Sequence, residues 1–149
     1  PSDLNGSGLR IGVVRAEWNS AIVDRLTEGS ARGLVGMNAD LVGPVSVPGC
    51  FELPLACRVL ALSGNVDAVV ATGVVIRGET THYELVSNAA ASGIQAVQLE
   101  TGMPIAFGVL TVESVEQALE RSQGEGGHNV GEEAAVVAVQ MARFVEKHK

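Results

Sequence analysis

Cationic and aromatic side chains are both scarce in this chain. Its 149 residues hold 10 Lys and Arg against 17 Asp and Glu, and aromatic residues make up 3%. Apart from residues 147–149, the sequence has no basic cluster, which argues against binding to nucleic acid. Long apolar runs are missing too. The longest, residues 66–76, contains Asp67 and Thr72 and ends at Arg77, short of the roughly 20 residues that span a bilayer.

Targeting signals and metal-ligand motifs are also missing. Residues 1–8 are polar and lack the basic and apolar regions of a signal peptide, so we expect a cytoplasmic protein without a membrane anchor. Cys50 and Cys57 fit neither a disulfide framework nor a CxxC metal motif, which predicts two free thiols. None of the three His residues has metal-ligand spacing to a Cys, so no metal site is predicted.

Apolar residues, by contrast, make up 46% of the chain. The length suits a single domain over residues 1–149, in which residues 1–8 form an extended N-terminal segment. For so short a chain this composition is apolar, and we expect part of the apolar surface to be buried against other subunits.

Short apolar runs alternate with amphipathic stretches along the chain. Strands are predicted at residues 9–16, 41–47, 67–76 and 104–110, and helices at 19–36, from Pro54 to 62, 81–92, 114–121 and from Asn129 onward. The alternation predicts a flavodoxin-like three-layer α/β/α sandwich with a four-stranded parallel sheet.

The sequence also predicts which helix residues cap and which are buried. The N-cap of the first helix is Asn19 or Ser20, and the other caps are the pairs Thr81/Glu84, Ser114/Gln117 and Asn129/Glu132. The buried sides predicted for the first, second and last helices are Ile22, Leu26, Gly29 and Gly33; Leu55, Val59 and Leu60; and Ala134, Ala138, Met141 and Val145.

Ligands of parallel sheets bind beyond the carboxyl ends of the strands. The segments that follow the first three predicted strands, residues 17–19, 48–52 and 77–82, bring carboxylates, one His and the only Trp to that edge. This composition suits a polar ligand that contains a ring. The simpler alternatives are a core or interface role for Trp18 and a helix cap for Glu52.

The third of these segments carries the most information. Gly78 permits close backbone approach, and the helix start at residues 79–82 favours an anion such as phosphate. The same positive helix end disfavours imidazolium, so we expect His82 to be neutral and able to transfer protons. An ordinary helix start with a surface His is the alternative.

Three further residues have weaker signals. Arg121 near a helix C-terminus is either a phosphate clamp or a cation that the helix end favours anyway. Phe107 lies inside a predicted strand, and its simplest interpretation is a core residue. Cys50 has no paired base and is not predicted to be a nucleophile.

Three segments together resemble the 6,7-dimethyl-8-ribityllumazine synthase family. They are VPGCFELP at residues 47–54, GVVIRGETTHYE at 73–84 and PIAFGVLTVESVEQALERS at 104–122, and the likeness extends over residues 9–144. The resemblance implies an enzyme of riboflavin biosynthesis that joins 5-amino-6-(D-ribitylamino)uracil to 3,4-dihydroxy-2-butanone 4-phosphate, with loss of phosphate and water. It also implies that the enzyme needs no metal or organic cofactor and forms pentamers, pentamer pairs or icosahedral shells whose sites are shared between subunits.

The resemblance also implies roles for individual residues. His82 takes the proton-transfer position, Trp18 stacks on the pyrimidine, and Glu52 accepts hydrogen bonds from hydroxyl groups. The remaining substrate-binding positions are Asn19, Cys50, Phe51, Val74, Val75, Ile76 and, from an adjacent subunit, Phe107. The phosphate-binding positions are Gly78, Glu79, Thr80 and Arg121.

One position departs from the family pattern. Val130 stands where the family usually has Lys or His, so a second cation near the phosphate is missing unless His128 substitutes for it. We therefore expect a raised KM for the butanone phosphate. Two alternatives stay open: a shell or scaffold protein with decayed catalysis, which Val130 favours, and a riboflavin synthase of the archaeal type.

Overall fold

A computed structural model describes residues 4–149, so residues 1–3 of the predicted N-terminal segment lie outside the described part. The strands are β1 (Arg10–Ala16), β2 (Asp40–Val47), β3 (Ala68–Ile76) and β4 (Ile105–Val112). The helices are α1 (Ser20–Gly36), α2 (Leu53–Leu62), α3 (His82–Thr101), α4 (Val115–Glu120) and α5 (Val130–Lys147). A short 3-10 turn, Cys50–Glu52, precedes α2.

The four strands form one parallel sheet in the order β2-β1-β3-β4. Side chains of α1 and α5 pack on one face of this sheet, and those of α2 and α3 on the other. The first eight residues of β3 are buried, which explains their near-continuous apolar sequence. The predicted three-layer fold and four-stranded sheet are confirmed.

The buried face of α2 differs from the prediction. Leu55 and Val59 are exposed and Leu60 is half-buried, whereas Leu53, Cys57 and Ala61 face the sheet. These three are spaced four residues apart, so they share one side of the helix, and the small Cys and Ala let the helix lie close to the strands. The same reason applies to α5, where Ala142 continues the stripe of Ala134 and Ala138, while Met141 is exposed and Val145 is half-buried.

Two of the predicted helix caps form and two do not. Ser114 accepts from the Gln117 amide, and Asn129 from the Glu132 amide. Thr81 makes no capping bond, because its backbone is already helical, with φ of −73° and ψ of 0°, rather than extended as at a usual N-cap. The Glu84 carboxylate pairs with Arg77 instead, at 2.8 Å. Asn19 occupies the cap position of α1 in a left-handed conformation, with φ of 62°, that aims no side-chain oxygen at the helix.

The third helix is longer than predicted and runs to Thr101 rather than Ser92. Gly93 does not end it, because that glycine lies against Pro54 of α2, where a Cβ atom would approach Pro54 Cβ to 2.9 Å. The glycine therefore serves close packing between two helices rather than a turn.

Helices α1 and α5 cross at close range, where both helices carry small residues. A Cβ atom on Gly33 would lie 3.1 Å from that of Ala135, and one on Gly131 would collide with the carbonyl oxygen of Leu26. The start of α5 is therefore held directly against α1, which fixes the chain that leads into it.

Residues 4–8 lie against their own chain. The Gly6 amide donates to the Met37 carbonyl at 2.6 Å, and the Arg143 side chain donates to the carbonyls of Asn5 and Ser7. Among residues 4–149, no helix combines the length and apolarity that crossing a membrane requires.

Candidate active site

A cavity of about 510 Å³ opens at the carboxyl ends of β1 and β3. In the strand order β2-β1-β3-β4, β1 and β3 are the two central strands. The chain continues from β1 to β2 at one edge of the sheet and from β3 to β4 at the other edge. Such switch points are where open α/β sheets bind ligands. Nine predicted site residues line the cavity: Trp18, Asn19, Cys50, Phe51, Glu52, Val74, Val75, Ile76 and His82.

Trp18 forms one wall of the cavity. Its amide donates to the Pro48 carbonyl at 3.0 Å, and its ring lies on Gly49, where a Cβ atom would approach the indole to 2.6 Å. The residue is 64% exposed, so within one chain it is not a core aromatic. An exposed indole backed by a glycine is suited to stacking on a flat ring.

Cys50 lies in the floor of the cavity as a neutral thiol. Its sulfur packs over Gly73 and donates to the Val74 carbonyl at 3.8 Å. Burial, helped by the nearby Glu52 carboxylate, raises the pKa of Cys50 to about 11. A thiol in this state is a poor nucleophile at neutral pH, as the sequence predicts.

Glu52 combines a local structural role with a place in the cavity lining. Its Oε1 atom accepts from the Gly49 amide at 2.9 Å, which closes the turn before α2. The side chain is half-buried and lines the cavity, where a carboxylate can accept hydrogen bonds from ligand hydroxyls.

The end of β3 offers backbone groups to the cavity. Its pairing with β1 ends at Thr72, whereas its pairing with β4 continues to Ile76. Among the residues the structure describes, no strand therefore lies beside residues 74–76 on the β1 side, where the cavity opens. Apart from the Val74 carbonyl, which accepts from the Cys50 thiol, backbone groups on that side are available to the polar edge of a heterocycle.

His82 begins α3 and lines the cavity, and its amide donates to Thr80 Oγ1 at 3.3 Å. Gly78, Glu79 and Thr80 lie in the exposed loop before it and do not line the cavity. Arg77, in the same loop, is engaged elsewhere: it lies 2.8 Å from Glu84 and its guanidinium covers the Tyr83 ring.

Phe107, Arg121 and His128 do not line the cavity of their own chain. Phe107 is 40% exposed on β4, so the simpler interpretation as a core residue is wrong. Arg121 donates through Nη1 to the Gln117 carbonyl at 2.9 Å, and His128 lies 3.4 Å from Glu133. No Lys or Arg is found among the lining residues of this cavity.

The sequence analysis missed four lining residues, namely Ala16, Gly49, Leu85 and Val86. Leu85 and Val86 lie about one turn beyond His82 on α3, so helical spacing from that residue would have identified them. Gly49 belongs to residues 48–52, the segment predicted at this edge, but was not singled out there; its contact with Trp18 identifies its role. Within residues 4–149, no group of three or more His, Cys, Asp or Glu side chains is arranged to hold a metal ion.

The model of the 6,7-dimethyl-8-ribityllumazine synthase family matches residues 8–146, a range that includes every strand and all but the last residue of α5.

Proposed function

The chain belongs to the 6,7-dimethyl-8-ribityllumazine synthase family, and from this we propose that it condenses 5-amino-6-(D-ribitylamino)uracil with 3,4-dihydroxy-2-butanone 4-phosphate. The observation that carries the proposal is a single cavity that an exposed indole, a carboxylate and an imidazole all line. These groups suit a flat pyrimidine, a polyhydroxyl chain and a reaction that needs proton transfers. We also propose that residues 1–149 act as one domain in the cytoplasm.

Each group has an assigned task. Trp18 stacks on the pyrimidine, Glu52 accepts hydrogen bonds from the ribityl hydroxyls, and the backbone at residues 74–76 pairs with the polar edge of the ring. Asn19, Cys50 and Phe51 complete the pyrimidine side. Gly78, Glu79 and Thr80 form the turn that receives the phosphate, next to the helix start at His82.

The proposed reaction begins when the amine of the pyrimidine attacks the ketone and water is lost. Elimination of phosphate follows, and ring closure by the ribitylamino nitrogen on the remaining carbonyl expels a second water. Orientation of the two bound substrates can supply about 7–11 kcal/mol of the rate acceleration. His82 then needs to provide only proton transfers, which are worth roughly 10²–10⁴-fold.

The phosphate needs a cation that the cavity lining of one chain does not provide. We propose that Arg121, together with Phe107, reaches the cavity from a neighbouring subunit of a pentamer or a pentamer-based assembly. Exposed apolar side chains on α2 support such an assembly, because Leu55, Val59 and Leu62 are each more than half exposed in the single chain.

The direct test mixes both substrates with the protein and follows the absorbance of the lumazine product. We expect product to form, and its absence under conditions that support a known lumazine synthase would overturn the proposal. Lumazine supplied alone should stay unchanged, since its conversion to riboflavin would instead indicate a riboflavin synthase.

Substrate binding can be followed separately from turnover. Trp18 is the only Trp in the chain, so quenching of its fluorescence by the pyrimidine alone would report stacking at this position. Unaltered fluorescence at saturating pyrimidine, with activity intact, would show that the ring binds elsewhere.

Val130 favours a second candidate, a scaffold whose catalysis has decayed. Its side chain is half-buried against an apolar cluster that includes Leu26 and Val112, and it offers no charge to a phosphate. Assembly into pentamers without any lumazine formation would support this candidate over the enzyme.

A further inference from the structure

Asn129 joins three parts of the chain through one buried side chain. It is 2% exposed, and its Oδ1 atom accepts from the Glu132 amide at 3.0 Å in the first turn of α5. Its Nδ2 atom donates to the Arg25 carbonyl of α1 at 3.0 Å and to the Gln123 carbonyl at 2.9 Å. Only the first of these bonds is needed to cap a helix, so the two donations require another explanation.

The two donations fix the chain that carries Arg121. Residues 122 and 129 form an isolated antiparallel bridge, and the Arg121 carbonyl accepts from the Val130 amide at 2.9 Å. The Ser122 carbonyl accepts from Arg25 Nε at 2.9 Å, which is a second tie to α1. The backbone at Arg121 is therefore held by α1 and by the start of α5 together.

Between these ties lies an exposed loop that contains Gly124, Gly126 and Gly127. Its backbone bond from the Gly127 amide to the Gly124 carbonyl, at 2.9 Å, lies within the loop and does not tie it to α1 or α5. Arg121 itself has one anchored atom, Nη1, which donates to the Gln117 carbonyl. Among residues 4–149, its hydrogen bonds and ion pair involve Nη1 alone, so Nε and Nη2 have no protein acceptor there.

We propose that Asn129 is a positioning residue that sets Arg121 for the phosphate of the butanone substrate. The inference rests on the proposed function, in which Arg121 binds that phosphate. Asn129 acts through the backbone and does not touch the substrate. Because the orientation of a guanidinium toward a phosphate is geometrically demanding, a small shift of residues 121–123 weakens the contact.

Asn129→Ser separates positioning from capping. Serine is a good N-cap, so the bond to the Glu132 amide is retained, whereas both donations to carbonyls are lost. We expect the KM for the butanone phosphate to rise roughly tenfold, since the contact it weakens is charge-assisted. The KM for the pyrimidine and the kcat should stay close to the parent values.

A double-mutant cycle with Arg121→Ala tests whether Asn129 acts through Arg121. If it does, adding Asn129→Ser to Arg121→Ala raises the KM no further. The affinity for inorganic phosphate, measured by calorimetry, should follow the same pattern and does not depend on turnover.

Ser30→Ala is the matched control. The Ser30 hydroxyl donates to the Gly131 carbonyl at 2.8 Å, so this change also removes a buried bond between α1 and α5 but leaves residues 121–123 untouched. It should lower the Tm while leaving the KM for the butanone phosphate unchanged. Arg25→Met removes the second tie at an exposed residue and should fold even if the Asn129 variant does not. Arg10→Met, at another exposed arginine, is the control for the lost charge.

The outcomes are separable. An unchanged KM in both Asn129→Ser and Arg25→Met, or a rise that adds in full to that of Arg121→Ala, overturns the positioning role alone. An unchanged KM in Arg121→Ala, or a parent protein that binds no inorganic phosphate, overturns the phosphate role of Arg121 and the positioning role with it. A rise in the KM of Ser30→Ala equal to that of Asn129→Ser would show general loosening and would also overturn it.

Discussion

The cavity and segment 121–130 differ in how the fold builds them. The cavity is assembled from segments that follow β1, β2 and β3, and it carries Glu52 and His82 but no Lys or Arg. Segment 121–130 follows β4 and α4, carries Arg121 and His128, and does not line that cavity. This difference is the basis of the proposal that one chain supplies the pyrimidine side of the site and a neighbouring chain supplies the cation.

His82→Ala should have the largest effect and tests the cavity side of this comparison. We expect kcat to fall by about 10²–10³-fold, because the variant removes a proton-transfer group. The KM values should change little, since Trp18 and Glu52, the side chains proposed to bind the pyrimidine, are unchanged. Lumazine absorbance gives the rates, and His148→Ala, which changes a histidine that lies against Phe144, is the control. A kcat equal to that of the parent would remove His82 from the mechanism.

Arg121→Ala tests segment 121–130, the second region of this comparison. Loss of a charge-assisted contact should raise the KM for the butanone phosphate by about 10- to 100-fold. The KM for the pyrimidine should stay the same, because the cavity lining of each chain is unchanged. Arg10→Ala, at an exposed arginine paired with Asp67 at 3.3 Å, controls for the lost charge. Equal rises in both KM values would show that the two regions do not bind separate substrates.

The sequence predicted the cavity side well because strand ends are a local signal. Trp18, Glu52 and His82 each follow a predicted strand within a few residues, and parallel strands bring those ends to one edge. The sheet itself followed from the alternation of apolar runs, and the burial of β3 from its composition. These features depend on spacing within short stretches of chain.

The features that the sequence did not predict depend on contacts between distant residues. The side of α2 that faces the sheet is set by the small Cys57 and Ala61, although Leu55 and Val59 are the larger apolar residues. The cap expected at Thr81 does not form, because Thr81 has helical rather than extended backbone angles, and the Glu84 carboxylate pairs with Arg77. The role of Gly93 depends on Pro54, nearly forty residues away in the sequence. None of these partners is visible in local periodicity.

Val130→Lys should have a smaller effect and would sharpen the comparison. A lysine stem can cover the apolar cluster that Val130 contacts while its ammonium group reaches solvent. One added cation near the phosphate should lower the KM for the butanone phosphate by about fivefold, an effect of roughly 1 kcal/mol that weakens with added salt. Val130→Met is the control, because methionine has an unbranched apolar side chain like the lysine stem but carries no charge. A parent KM in the range of typical relatives, and no decrease in the lysine variant, would show that the missing cation does not matter.

Cys50→Ala should change activity least, although the residue lies in the floor of the cavity. Burial raises the pKa of its thiol to about 11, so at neutral pH the thiolate is a minor species. We expect kcat to stay within about twofold of the parent, as for any residue that packs without forming a covalent bond. Cys57→Ala is the matched control. Burial raises the pKa of that thiol to about 12, and Cys57 does not line the cavity. A kcat loss confined to Cys50→Ala, together with rapid inactivation of the parent by iodoacetamide at neutral pH, would show a reactive thiolate. The cavity would then hold two reactive groups rather than His82 alone.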